Sequence, residues 1–220
     1  MNSERRLVSI AIPAFNESEN LDELVRRLQT VFATLAERYD FEVVVCENGS
    51  SDDSYAKLLR IRAEDRRFKV VQLVRNFHME GGMTAAVAHV SGDACVIMSA
   101  DLQDPPEMIP QLIERWEEGY ENVYMIVTKR TDAGWIRSFN SRAFYWLAGK
   151  LTDNRIPRNA SDFRLVDRKV YETVRQLDER NRFVRGLFAW VGFRSTGIEH
   201  ERPERFGGSS KAYSLKVIDL

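Results

Sequence analysis

Five short apolar runs alternate with segments of helical spacing over residues 1–128, and this alternation limits the fold more than any other feature of the chain. The runs are Leu7 to Ile12, Phe41 to Cys46, Val70 to Val74, Ala94 to Met98 and Val123 to Val127. Between the first two, Leu21, Leu24, Val25, Leu28, Phe32 and Leu35 recur at the step of an amphipathic helix. Asn16, with Glu19 three residues on, reads as the cap of that helix. A second helix follows the polar turn Glu47 to Asp53. A small-residue helix, Met83 to His89, is expected after a chain break at Gly81-Gly82. Another opens at Pro105-Pro106 and ends at Gly119. Strands alternating with helices require an α/β unit with a mainly parallel sheet. Near-continuous apolar strands fit a sheet covered on both faces. Ligands of such sheets bind at the carboxyl ends of the strands. The polar clusters fall there: Ala14-Phe15-Asn16-Glu17, Glu47-Asn48, Arg75-Asn76 and Asp101-Leu102-Gln103-Asp104.

After about residue 130 the pattern changes. Trp135 to Leu151 has helical spacing, with Arg137, Arg142 and Lys150 interleaved among aromatic residues. That composition suits either a membrane interface or a core-facing helix with exposed arginines. Asp162 to Val166 reads as a strand, Arg168 to Leu177 as a helix, and 202–211 as a basic loop rich in glycine and serine. Tyr213 to Leu220 reads as the opening of a further helix.

Two hundred and twenty residues suit one large domain. The 32 basic and 33 acidic residues nearly cancel, so charge gives no support for a nucleic-acid partner. Cys46 and Cys95 lie in apolar runs without zinc-site spacing and read as buried free thiols. The N-terminus lacks the apolar stretch of a signal peptide. No run approaches the ~18 apolar residues that a spanning helix needs.

The Gly-x-Gly-x-x-Gly of a dinucleotide site is absent after the first strand, and Gly208-Ser209-Ser210-Lys211 lacks the upstream glycine spacing of a phosphate-binding Walker loop. The acidic turn at 101–104 carries more. A strand-end carboxylate can offer hard oxygen to Mg²⁺ or Mn²⁺, ions often held by one or two carboxylates plus substrate phosphates. Asp104 is accounted for as a cap of the helix that Pro105 begins. No capping rule requires Asp101.

Four segments together resemble the family 2 glycosyltransferases of the GT-A fold: Ile12-Pro13-Ala14-Phe15-Asn16-Glu17, Gly49-Ser50-Ser51-Asp52, Ala100-Asp101-Leu102-Gln103-Asp104-Pro105-Pro106, and Arg205-Phe206-Gly207-Gly208-Ser209-Ser210-Lys211. Ser161-Asp162-Phe163-Arg164-Leu165 and Asn181-Arg182-Phe183-Val184-Arg185-Gly186 resemble the polyprenyl-phosphate branch, which includes dolichol-phosphate mannose synthases and undecaprenyl-phosphate glucosyltransferases. The resemblance implies a single GT-A (Rossmann-like) catalytic domain over 1–220. Residues 1–128 would form its nucleotide-sugar half, and 129–220 its acceptor half and closing loop. It implies inverting transfer of a sugar from a nucleotide diphosphate, UDP before GDP, to a polyprenyl phosphate at the cytoplasmic face of a membrane. Membrane segments beyond residue 220 and a homo-oligomer are compatible with it.

By the same resemblance the donor is bound by Pro13, Ala14, Asn16, Glu17, Glu47, Asn48, Ser50, Asp101 and Gln103, and by Arg205, Ser210 and Lys211 of the late loop. Asp101 and Gln103 hold the metal, Lys129, Arg130 and Arg137 receive the acceptor phosphate, and Asp162 is the candidate base or orienting residue. Two departures stand out. Glu47-Asn48 replaces a pair of aspartates, and Ser99 replaces the first aspartate of the usual Asp-Ala-Asp. Two alternatives share the donor half: a transferase with a non-lipid acceptor, and a degenerate nucleotide-sugar binder.

Overall fold

The structure, a computed structural model, describes residues 5–128, 160–179 and 183–201. Strand β1 (Arg6–Ala14) leads to helix α1 (Leu21–Leu35), then β2 (Tyr39–Glu47), α2 (Ser54–Glu64), β3 (Phe68–Gln72), α3 (His78–Ala88) and β4 (Ala94–Ile97). A single 3₁₀ turn (Pro106–Met108) precedes α4 (Ile109–Glu117) and β5 (Asn122–Val127). After the undescribed segment come β6 (Ala160–Asp167), α5 (Arg168–Arg175), α6 (Val184–Trp190) and β7 (Ser195–His200). The strands form one seven-stranded sheet in the order β3-β2-β1-β4-β6-β5-β7. β1, β2, β3 and β4 pair in parallel, β6 lies antiparallel between β4 and β5, and β7 pairs in parallel with β5.

The apolar runs of β1, β2 and β4 are buried on both faces of this sheet, as their lack of alternation requires. Val8, Ile10 and Ile12 pack with Leu24, Leu28 and Phe32 of α1 on one side. Ala11, Val44 and Ile97 pack with Met83, Ala86 and Val87 of α3 on the other. Each fully buried side chain of this size contributes about 1.5–3 kcal/mol. At the amino ends, buried Glu42 accepts from the Ser9 hydroxyl at 2.5 Å, the Ser91 amide at 2.6 Å and Lys69. Burial opposes its ionisation, but these donors prevail and hold the carboxyl below its ordinary value. Cys46 and Cys95 are free and buried, and burial pushes the Cys46 thiol up to about 12.

Three local expectations are corrected. Helix α3 does not begin after Gly81-Gly82 but runs through both residues. A Cβ on Gly82 would lie 3.1 Å from the Asn48 amide nitrogen and 3.1 Å from Pro13 Cβ, so the glycine serves close packing of helix on strand ends. Asn16 does not cap α1, which starts at Leu21. Asn16 instead has φ of 52° and turns its side chain towards the β2 end. Asp104 does not cap the following helix, whose first turn has no side-chain cap. It folds back onto Ser99. The Trp135 to Leu151 helix and the 202–211 loop lie outside the described residues. Among the described residues no helix is long and apolar enough to cross a membrane.

Candidate active site

In the parallel part of the sheet β1 lies between β2 and β4, so chain order reverses beside it. Ligands of open α/β sheets bind at the carboxyl edge next to such a reversal. Ala14 faces Glu47 in the β1/β2 register, and carrying the β1/β4 register on by three residues sets Ala14 level with Ala100. Because β6 is antiparallel, its start meets the same edge. Carrying the Ile97–Arg164 pairing on by two residues sets Asp162 level with Ser99. The topology thus gathers the first strand end, the Glu47 turn, the acidic turn and Asp162 at one rim.

The first two turns are tied to each other. The Asn16 amide donates to Ser50 Oγ at 2.9 Å, and the Ser51 amide donates to Asn16 Oδ1 at 2.7 Å. The Glu17 amide donates to Ser54 Oγ at 2.9 Å, while the Glu17 carboxylate accepts from Asn20 at 2.5 Å. Glu47 is 1% exposed and its Oε1 accepts the Ser50 amide at 2.5 Å, which closes the turn it belongs to. Gly49 has φ of 70°, and a Cβ there would lie 2.4 Å from the Arg75 carbonyl carbon, so the β3–α3 loop rests directly against it.

Asn48 explains one departure from the family pattern. Its Nδ2 donates to the His78 carbonyl at 2.9 Å and to Asn76 Oδ1 at 3.2 Å, and its Oδ1 accepts the Phe77 amide at 2.9 Å. The side chain therefore braces the loop that leads into α3. A carboxylate accepts and cannot donate. Asn48→Asp is expected to set oxygen against oxygen at His78 and Asn76 and to cost about 1–3 kcal/mol. Urea unfolding of the variant at neutral pH measures this.

The acidic turn is built around Ser99. Its hydroxyl lies 2.6 Å from Asp101 Oδ1 and 2.9 Å from Asp104 Oδ2, and its amide donates to Asp104 Oδ2 at 2.9 Å. The Gln103 amide donates to Asp101 Oδ1 at 3.2 Å. Leu102, at φ of 62°, is buried, and Gln103 beside it is half-buried. Among the described residues no three His, Cys, Asp or Glu side chains converge as a ready-made metal cage. Asp101 and Gln103 nonetheless supply two hard oxygen donors at the rim. A Mg²⁺ or Mn²⁺ ion completed by substrate phosphates and water fits such a set.

Asp162 is the other carboxylate at the rim. Both its oxygens are taken by Arg185 of α6, with Nε donating to Oδ1 at 2.8 Å and Nη2 to Oδ2. Among the described residues its hydrogen-bonding partner is Arg185. Lys129, Arg130, Arg137, Arg205, Ser210 and Lys211 lie outside the described residues. Sequence reasoning did not assign Asn76, Asp104, Glu80 or Arg185. The signal for Asp104 was its place in an unusually acidic turn, which the capping explanation absorbed. Arg185 stood in a family-like segment without an assigned role.

This sheet order and strand-end site define a GT-A-type nucleotide-sugar fold. The Glycosyl transferase family 2 profile matches residues 9–175, and the chain belongs to that family. An uncharacterized glycosyltransferase of Synechocystis is 41% identical over 93% of this chain and 64% of its own length. The bactoprenol glucosyl transferase of Shigella phage SfV is 34% identical over 97% of this chain and 69% of its own length. The chain thus spans about two-thirds of these relatives. A mannosyltransferase from Pyrobaculum calidifontis, solved with GDP-mannose and Mn²⁺, superposes with a TM-score of 0.60 at 16% identity. It covers 93% of this chain and 59% of that one. Glucosyl-3-phosphoglycerate synthase from Mycobacterium tuberculosis, solved with Mn²⁺, UDP-glucose and phosphoglyceric acid, gives 0.57 at 19% identity, over 90% and 73% of the two chains. At these identities the two structures show the shared fold.

Proposed function

We propose that the chain is the catalytic domain of an inverting glycosyltransferase that moves a sugar from a nucleotide diphosphate to a polyprenyl phosphate. The observation that carries this is the position of the Asp101–Gln103 turn: it stands beside the β1 reversal, with Asp162 brought to the same rim by the antiparallel β6. The bactoprenol glucosyl transferase relatives support the lipid-phosphate acceptor, and a UDP-sugar is the proposed donor, with GDP-mannose second. Asn16, Ser50 and the backbone of Pro13 and Ala14 are the proposed receivers of the nucleoside. The bonds within their turns leave Glu17, Glu47 and Asn48 as the side chains that shape the pocket. Asp101 and Gln103 would hold Mg²⁺ or Mn²⁺, which when bound stabilises charge on the leaving diphosphate. Arg205, Ser210 and Lys211 are proposed to close over that diphosphate, and Lys129, Arg130 and Arg137 to receive the acceptor phosphate.

The acceptor phosphate has a second pKa of about 6 and is already a nucleophile at neutral pH. The chain therefore needs to orient it and not to deprotonate it. The forked pairing of Asp162 with Arg185 suits an orienting carboxylate better than one that must collect a proton. A membrane surface is the proposed place of work, reached peripherally or through segments outside this chain.

Thermal unfolding with UDP-, GDP-, CDP- and dTDP-sugars, with and without Mn²⁺, tests the donor half. Ligand at about 100 times its Kd stabilises by about 2.7 kcal/mol. At least one nucleotide sugar is expected to raise the melting temperature only when Mn²⁺ is present. A panel without any such shift refutes the reading.

A further inference from the structure

Four charged side chains meet on the face of β6 that α3, α5 and α6 cover. Asp162 and Arg164 stand two residues apart on that face. Arg164 is buried, donates to the Ser161 carbonyl at 3.0 Å and lies 5.4 Å from the Phe188 ring centroid of α6. Burial draws Arg164 down to about 10, with Asp162 pulling the other way. Arg185 comes from the first turn of α6 and Glu80 from the first turn of α3. Burial raises the Glu80 carboxyl, and the nearby Asp162 charge adds to that rise. Among the described residues, two acids and two guanidiniums thus offset one another in a partly dry site.

The geometry singles out Arg185. Its fork grips both oxygens of Asp162, with Arg185 at 22% and Asp162 at 24% side-chain exposure. Such a two-point grip fixes the direction of a carboxylate as well as its place, which an ammonium cannot do. The helix that carries it is pinned. The Val184 amide donates to Glu80 Oε2 at 2.9 Å. A Cβ on Gly186 would meet the Phe183 ring at 2.4 Å, so the glycine lets that ring lie against the first turn of α6. α3 in turn begins at His78, whose carbonyl Asn48 holds from the end of β2. A line of hydrogen bonds and one short helix therefore runs from the Glu47-Asn48 turn to Asp162.

We propose that Arg185 is a positioning residue: it fixes the Asp162 carboxylate at the rim for transfer, and Glu80 fixes the helix that presents it. This rests on the glycosyl-transfer reading above. A misplacement of about 1 Å near the reacting atoms costs about 10²-fold in rate. Arg185→Ala and Asp162→Asn are each expected to lower kcat about 10²-fold with donor KM little changed. The double variant should be no worse than the weaker single, as for residues that act as a unit. Arg185→Lys should recover only part of the loss. Retained Mn²⁺-dependent stabilisation by the donor shows that the variants are folded. Losses that multiply in the double variant, or a normal kcat in Arg185→Ala, overturn the proposal. The Arg185 Nε–H should also give a protected nitrogen-15 NMR resonance that vanishes in Asp162→Asn. Its absence from the wild-type protein overturns the positioning role regardless of acceptor. A wild-type protein that shows the resonance yet transfers no sugar keeps the pairing, and removes the glycosyl-transfer reading together with Arg185's part in it.

Discussion

Asp101→Asn is expected to lower sugar transfer by about 10²–10³-fold, the cost typical of losing one group that stabilises charge in the transition state. Its melting temperature should stay within a few degrees of wild type. Asp101 is the proposed metal carboxylate, and asparagine removes the charge while keeping an acceptor oxygen. That oxygen matters to the fold. Asp101 is 7% exposed and receives the Ser99 hydroxyl and the Gln103 amide. Alanine leaves the Gln103 amide without this acceptor and the Ser99 hydroxyl with Asp104 alone, and an unpaired buried donor costs about 1–3 kcal/mol. Asparagine is therefore the cleaner probe. Transfer rate and thermal unfolding of the same preparation separate the two effects, and near-normal transfer excludes Asp101 as the metal carboxylate.

Gly49→Ala is expected to destabilise the protein by about 3 kcal/mol or more. The left-handed φ of 70° costs an L-residue about 1–2 kcal/mol. Overpacking adds about 1–3 kcal/mol, because the new Cβ would press on the Arg75 and Asn76 backbone at 2.4–2.8 Å. At about 2–4 °C per kcal/mol for a domain of this size, the melting temperature should fall by roughly 10 °C. Gly119→Ala is the control. Its φ of 89° carries the same kind of strain, but the nearest atom to a new Cβ is Arg194 Nη1 at 3.4 Å. The smaller loss expected there isolates the close contact at Gly49. Equal losses in the two variants would show that contact to be unimportant. Donor-induced stabilisation should weaken in Gly49→Ala alone, since Gly49 joins the turn that Asn16 and Ser50 lock.

β1, β2 and β4 were legible because each is a buried apolar run of its own, whereas β3, expected over Val70 to Val74, runs from Phe68 to Gln72 and leaves Val74 95% exposed. β1 extends from Arg6 to Ala14 around the expected Leu7 to Ile12, and β4 from Ala94 to Ile97 ends one residue before the expected Met98. What failed were features set by contacts distant in sequence. Gly81-Gly82 looked like a helix breaker by local propensity, yet both lie within α3, and the glycine at 82 serves the close approach of Pro13 and Asn48. The Asp162 strand was foreseen, but nothing local says that it inserts antiparallel between β4 and β5. β7 was missed because Ser195 to His200 is largely half-buried at a sheet edge and lacks an apolar run. α6 was missed because seven residues are too few to show a period. At the candidate site, strand-end position foresaw that Asn16, Asp101 and Gln103 stand at the carboxyl edge of the sheet. It did not tell that Asn16, Glu47, Asn48 and Ser50 all bond within or between these turns, because those partners are distant or backbone groups.

The central claim is that this family 2 domain transfers a sugar to a polyprenyl phosphate. Protein mixed with a radiolabelled UDP-sugar, Mn²⁺ and undecaprenyl phosphate in detergent should move label into the organic phase, with the lipid-linked product lost on omission of metal or in Asp101→Asn. Label that stays in the aqueous phase with every nucleotide sugar that stabilises the protein, while a non-lipid acceptor becomes labelled, would contradict it.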